Sequence, residues 1–276
     1  MDISQLLGVG GETYMTKIYT YKIHTEQMKP EKFLTIARRM EITNKLVQTD
    51  EALAIRDKQR ILVYAQPGAK FAGLLMYTDQ SKGMADPVKK PLDVERAKEW
   101  ATKFLQDFDL IPRKVEDDRI RLSFDVSSYQ TDAITYDGKE RQTSTNKTEI
   151  GSKILLNDIR VVGPRAKVRI VFKNQVNPIF LYRGLWERID VYEEKELIRA
   201  HDIVRVLKEK LADRRKFRAN YEILSTKLAY FADEYSGGPD LLTPFYFIEI
   251  EHEDVDAKKS GITQGPRQVF WLPAYR

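Results

Sequence analysis

The chain has 276 residues, 42% hydrophobic and 32% charged, with 46 basic against 41 acidic residues for a formal net charge of +5. That length suffices for two ordinary domains or one elongated one, and the near balance of charge is too mild for a dedicated polyanion binder. Cysteine is absent, which excludes disulfides, thiolate metal sites, iron–sulfur clusters and cysteine nucleophiles.

Residues 1–12 read as a flexible N-terminal segment, because Met1 to Gly11 lacks the basic start and apolar centre of a signal peptide. Any natural leader or anchor is expected to be missing from this chain, and no apolar run reaches the roughly 18 residues of a spanning helix. Gly8, Gly10 and Gly11 precede a strand instead of joining a strand to a helix, so they do not make a phosphate loop. Thr13 to Ile23 alternates as a strand does. Pro30 suits the first turn of a helix whose apolar face is Phe33, Ile36, Ala37 and Met40. A hairpin follows, Arg60 to Tyr64 and Lys70 to Tyr77, turned at Pro67 and Gly68.

Gln80 to Pro91 reads as a linker. Asp93 caps a second helix with an apolar stripe of Val94, Ala97, Ala101, Phe104, Leu105 and Phe108, Trp100 at its margin and an end near Pro112. Strands are predicted at Arg119 to Val126 and Ala133 to Tyr136, with the polar run Lys139 to Lys147 as an exposed loop. Two more are predicted at Arg165 to Phe172 and Ile179 to Ile189. Leu197, Ala200, Ile203, Val204, Leu207 and Leu211 predict a third helix over about Glu193 to Arg214. Strands at Lys227 to Phe231, Pro244 to Glu251 and Arg267 to Leu272 close the chain.

A strand, a helix and a strand pair thus recur three times, which predicts an α+β fold of repeated β-α-β-β units, antiparallel sheets carrying helices on one face. The units are placed at 13–79, 92–178 and 179–276, with 80–91 as the linker between the first two.

Several local patterns resemble the PepSY-like, YycH/YycI-like group of bacterial extracytoplasmic proteins. They are the helix ending in Ile36, Ala37 and Arg38 before a hairpin of Gly68-Ala-Lys-Phe71 and Met76-Tyr-Thr-Asp79, and the helix Ala97 to Leu105 running into Asp109, Leu110, Ile111 and Pro112. Further on come Val162-Gly-Pro-Arg-Ala-Lys-Val168 leading to Gly184, Leu185 and Trp186, and Leu228-Ala-Tyr-Phe231 before Leu242-Thr-Pro-Phe-Tyr246 and Leu272-Pro-Ala274. The resemblance spans most of the chain and rests on packing and turn residues. It implies an envelope or secreted protein that binds and regulates other proteins, such as a sensor kinase or a peptidase, and it brings no catalytic residues.

The residues themselves carry no catalytic signature. His24, His201 and His252 are the only histidines, there is no His-Glu-x-x-His and no Gly-x-Ser-x-Gly. In Glu251-His-Glu-Asp254 neighbouring strand residues point to opposite faces, so a solvated strand end explains the run better than a metal site. Arg214, Arg215, Lys216 and Arg218 follow the third helix, where cations complement the helix dipole or touch an anionic lipid or polymer. Tyr235, Trp271 and Tyr275 fall near loops and the terminus and are the candidate aromatic recognition residues.

The favoured expectation is a non-enzymatic extracytoplasmic binding or regulatory protein, without cofactor or metal, whose partner is another envelope or extracellular protein; nucleic acid is disfavoured. Two other classes stay open. One is a hydrolase with a site assembled from distant acidic and hydroxyl residues, and the other a surface subunit that self-assembles through sheet edges.

Overall fold

The computed structural model describes residues 16–81, 88, 90–114, 117–137, 140–198, 202–203, 205–207, 209, 221–232, 240–252 and 267–275. The chain divides into two compact units: a terminal unit of Met1–Tyr21, Val191–Phe231 and Leu241–Arg276, and a central unit of Lys22–Asp190 and Ala232–Asp240.

After β1 (Lys17–His24), helix α1 (Pro30–Arg39) opens on a proline at its first turn and buries Phe33, Ile36 and Ala37. It packs on the central sheet, whose first strands are β2 (Val47–Gln48), β3 (Ala52–Arg56), β4 (Arg60–Ala65) and β5 (Leu74–Asp79), each antiparallel to the next. Helix α2 (Val94–Asp107) starts where the Asp93 carboxylate accepts the backbone N–H groups of Glu95 and Arg96 at 3.1 Å, a cap that stabilises the helix by about 1 kcal/mol. Its buried stripe is Ala97, Trp100, Ala101, Phe104 and Leu105.

The short β6 (Arg113–Lys114) precedes the longest hairpin of the molecule, β7 (Leu122–Asp137) and β8 (Glu140–Leu156). Then come β9 (Ile159–Val162), a 3-10 turn at Pro164–Ala166, β10 (Lys167–Phe172) and β11 (Phe180–Gly184). The central strands run in the order β2-β3-β4-β5-β11-β10-β8-β9, with β7 also on β8. One face is apolar at every second residue, as at Leu53 and Ile55, Leu62 and Tyr64, Leu75 and Tyr77, and Val168, Ile170 and Phe172. Trp100 stacks on Phe104 at 4.8 Å and meets Phe172 edge-on at 5.4 Å, which joins α2 to that face.

Past β12 (Arg188–Glu196), whose first residues pair in parallel with β6, residues 202, 203, 205–207 and 209 are helical. The terminal unit is completed by β13 (Tyr221–Phe231), β14 (Leu241–His252) and β15 (Arg267–Pro273), antiparallel with β14 in the middle. Tyr246, Ile248 and Ile250 of β14 and Leu272 of β15 bury one face against Ile203 and Leu207.

The expected α+β class is corrected by this architecture. The described residues are mostly β, with 15 strands against two long helices of 10 and 14 residues, and no β-α-β-β plan is used three times. Three misread segments account for the difference. Of the polar run expected as a loop, residues 140–147 are the start of β8 while Lys139 lies outside the described residues, and the two strands predicted before it fall in one continuous β7. The predicted third helix begins too early, since Glu193 to Glu196 belong to β12. The charged and threonine-rich runs 140–147 and Tyr192 to Glu196 hide strands because their sequences lack the alternation of apolar and polar residues that announces a strand, and pairing with a neighbour, as along β7 and β8, is not written locally.

Candidate functional site

In the terminal unit, β14 alternates buried and half-buried residues over its whole length, Tyr246, Ile248 and Ile250 on one side and Phe245, Phe247, Glu249 and Glu251 on the other. The second side is apolar at one end and charged at the other. At the apolar end Trp271 of β15 lies opposite Phe247, ring centroids 5.1 Å apart, and contacts Phe231 of β13 at 4.5 Å; Phe231 in turn meets Phe245 edge-on at 6.3 Å. Trp271 is 47% exposed and Val269, two residues earlier on the same side, 57%. At the charged end Arg267 pairs with Glu251 at 3.4 Å and Glu249 at 3.8 Å, and Ser225 donates to Glu249 at 3.3 Å. Among the described residues β15 has one strand neighbour, β14, and none of them pairs with its other backbone edge along Arg267–Pro273.

Of the aromatic residues singled out in the sequence, Trp271 belongs to this face. Tyr275 lies just beyond β15, bridged to Leu197, with the Lys195 ammonium 5.7 Å from its ring centre. Tyr235, Arg214, Arg215, Lys216 and Arg218 lie outside the described residues, as does His201. Phe231, Phe245 and Phe247 were not selected from sequence. The signal for them is the run Phe245-Tyr-Phe-Ile248, apolar at both parities, which marks a strand with two apolar faces.

The central unit carries three polar constellations. At the first, Arg183 is fully buried on β11. Its Nε donates to the Leu110 carbonyl at 3.1 Å and its Nη1 to the Gly73 and Leu185 carbonyls, both at 3.0 Å, and to the Glu187 carboxylate at 2.7 Å. The other Glu187 oxygen accepts the Glu26 N–H at 3.1 Å, and Tyr64 donates to the Glu26 carbonyl at 2.9 Å. Burial, together with the Glu187 charge, pushes the Tyr64 phenol up, so it remains a donor. His24 sits 2.9 Å from Asp190 nearby, and among the described residues no serine or threonine hydroxyl is hydrogen-bonded to that pair. The guanidinium ties Gly73, Leu110 and the 185–187 stretch together from a fully buried position, so this constellation is a clasp and not a ligand site.

The second is Glu149 of β8, 4% exposed, held by Arg169 at 2.8 and 3.0 Å and Lys147 at 2.9 Å and touched by Tyr129 at 3.3 Å. Burial alone would raise its pKa, but the hydrogen bonds and charges of Arg169 and Lys147 prevail and hold it at about 2. Such a carboxylate stays ionised and cannot shuttle protons near neutrality. The third is a polar pocket of about 580 Å³ between the end of α1, the β3–β4 turn, the end of β5 and the β10–β11 turn. Among the described residues, no group of three or more histidines and carboxylates is placed to hold a metal ion.

No family model matches the chain, and no curated protein matches it. Among solved structures it is similar to an uncharacterised protein from Eubacterium rectale at 11% identity and a TM-score of 0.55, covering 94% of this chain and 84% of that one. That likeness is one of fold. Among the described residues no helix is long and apolar enough to cross a membrane.

Proposed function

We propose that the chain is a non-enzymatic binding protein whose terminal unit docks an extended segment of a partner protein along the open edge of β15. The observation that carries this reading is Trp271, half-exposed on an edge strand, braced from behind by Phe231 and Phe247. An incoming strand would gain backbone pairing from the edge, and its alternate side chains would lie beside Val269 and Trp271. Aromatic anchors of this kind supply large contact area at small entropic cost. The guards of the edge stand only at its ends, Arg267 and Pro273, and the five residues between them carry neither charge nor proline.

The charged end sets the polarity of the partner. Glu249 and Glu251 outnumber Arg267 there, so the segment favoured has an apolar residue for Trp271 and a cationic one some two residue pairs further along. Residence outside the cytoplasm belongs to the same proposal and rests on the resemblance to the PepSY-like group.

The test is capture from an envelope extract of the native host with the full chain and with Trp271→Ala and Val269→Lys variants. A partner retained by the parent and lost by both variants supports the reading. Recovery of no protein across salt conditions, or equal recovery by all three chains, overturns it; a parent chain that sediments as a dimer broken by both variants assigns the edge to self-assembly instead.

A further inference from the structure

We propose that the polar pocket of the central unit binds a neutral, polyhydroxylated small molecule of monosaccharide to disaccharide size. Its volume of about 580 Å³ falls within the range of small-molecule sites. Most such sites are apolar, whereas this one is walled almost wholly by polar side chains, so the ligand that matches it must itself be polar.

Tyr77 is the most informative wall residue. Its ring is buried to 2% exposure on β5, yet its phenol makes no hydrogen bond with the described residues and opens into the pocket. The hydroxyl of a buried side chain that is reached from a cavity and bonded to no described residue offers a ligand one donor and one acceptor at a fixed place. Burial and the nearby Asp79 charge both raise its pKa, so the proton stays on it.

The remaining walls are built and fixed. Asp57 accepts the backbone N–H groups of Gln59 at 2.9 Å and Arg60 at 2.6 Å and holds the Arg60 guanidinium at 2.7 and 2.8 Å. Asp79 receives the Ser81 N–H and hydroxyl on Oδ1, which leaves Oδ2 with open acceptor capacity. Glu41 receives the Asn177 amide at 2.7 Å and lies 3.6 Å from Arg60. It occupies the left-handed region, φ 60°, just after α1, a position that glycine fills at least cost. From there its carboxylate lines the pocket beside the Asn177 amide.

The charges select the ligand class. An anion would face the carboxylates of Glu41, Asp57 and Asp79, and a simple cation would face Lys58 and Arg60. Hydroxyl groups, each a donor and an acceptor, satisfy the Asp79 carboxylate and the Tyr77 phenol together without bringing a charge to either.

The experiment is titration of the full chain with glucose, N-acetylglucosamine and cellobiose, beside glucosamine and glucose 6-phosphate, followed by calorimetry and protein NMR. The expected result is saturable binding of at least one neutral sugar, weakened about tenfold or more, some 1.4 kcal/mol, in Tyr77→Phe and in Asp79→Asn. Both variants keep the shape of the wall, and unchanged circular dichroism and melting confirm that the fold is intact. The proposal is overturned if no neutral sugar saturates below roughly 50 mM, a range that covers weak millimolar sites. It is equally overturned if only glucosamine or only glucose 6-phosphate binds, or if both variants bind as the parent does.

Discussion

Phe231 of β13 lies against the indole of Trp271 on β15, centroids 4.5 Å apart and planes at 65°, although β14 runs between their strands. The contact reaches diagonally across the middle strand, where Phe247 fills the near side. An indole held from behind in this way loses little freedom on meeting a partner. Trp271→Ala should therefore cost the fold less than about 2 kcal/mol, as expected for a half-exposed side chain, while abolishing partner capture. Chemical denaturation beside pulldown separates the two effects, and a loss of stability without a loss of capture would place the indole in the fold alone.

Trp271 was visible in the sequence only as an aromatic residue near the end of the chain; what it touches was not. The two long helices were legible because each states its register locally, through Pro30 and the Phe33, Ile36, Ala37 stripe in one case and the Asp93 cap in the other. Strand pairing is not a local property. The pairing of β5 with β11 joins segments about a hundred residues apart, and nothing near Leu74 announces Gly184 as its partner. The role of Arg183 is hidden in the sequence for the same reason, since Leu110 and Gly73 meet it only in the fold.

The Glu149 cluster predicts an acid-sensitive increment of stability. Its folded pKa of about 2 lies below the ordinary value of 4.5, so its contribution is complete above about 4.5 and is lost as pH falls toward 2. Glu149→Gln should lower stability at pH 7 and flatten the dependence over that window. Urea midpoints at pH 7, 4 and 2.5 check it, and parallel curves for the two proteins would refute the assignment.

Gly163 stands at φ 111°, and a β-carbon built on it would lie 2.4 Å from the Ala232 carbonyl oxygen. The same oxygen is bonded by the Arg165 N–H at 3.4 Å, so the backbone there cannot retreat without loss of that contact. Gly163→Ala should destabilise the central unit by about 1–3 kcal/mol, the range for a residue forced into a disfavoured backbone region. Thermal melting reads this directly, and an unchanged melting temperature would mean the turn has room to move.

Arg183 offers the sharpest test of what holds the central unit together. Its guanidinium binds the carbonyls of Gly73, Leu110 and Leu185 and the Glu187 carboxylate, and removing it leaves those acceptors buried and the carboxylate without its cation. Arg183→Met should cost about 3–5 kcal/mol, as for breaking one side of a buried ion pair. Arg183→Lys keeps the charge but cannot reproduce the planar fork that reaches the Leu110 and Gly73 carbonyls at once, so it too should destabilise strongly. Arg183→Met with Glu187→Gln should recover part of the loss, because the stranded carboxylate is then neutral. Denaturation of the three variants forms the check: if lysine restores full stability, the charge matters and the geometry of the clasp does not, and if the double variant is no better than Arg183→Met, the cost lies in the stranded carbonyls.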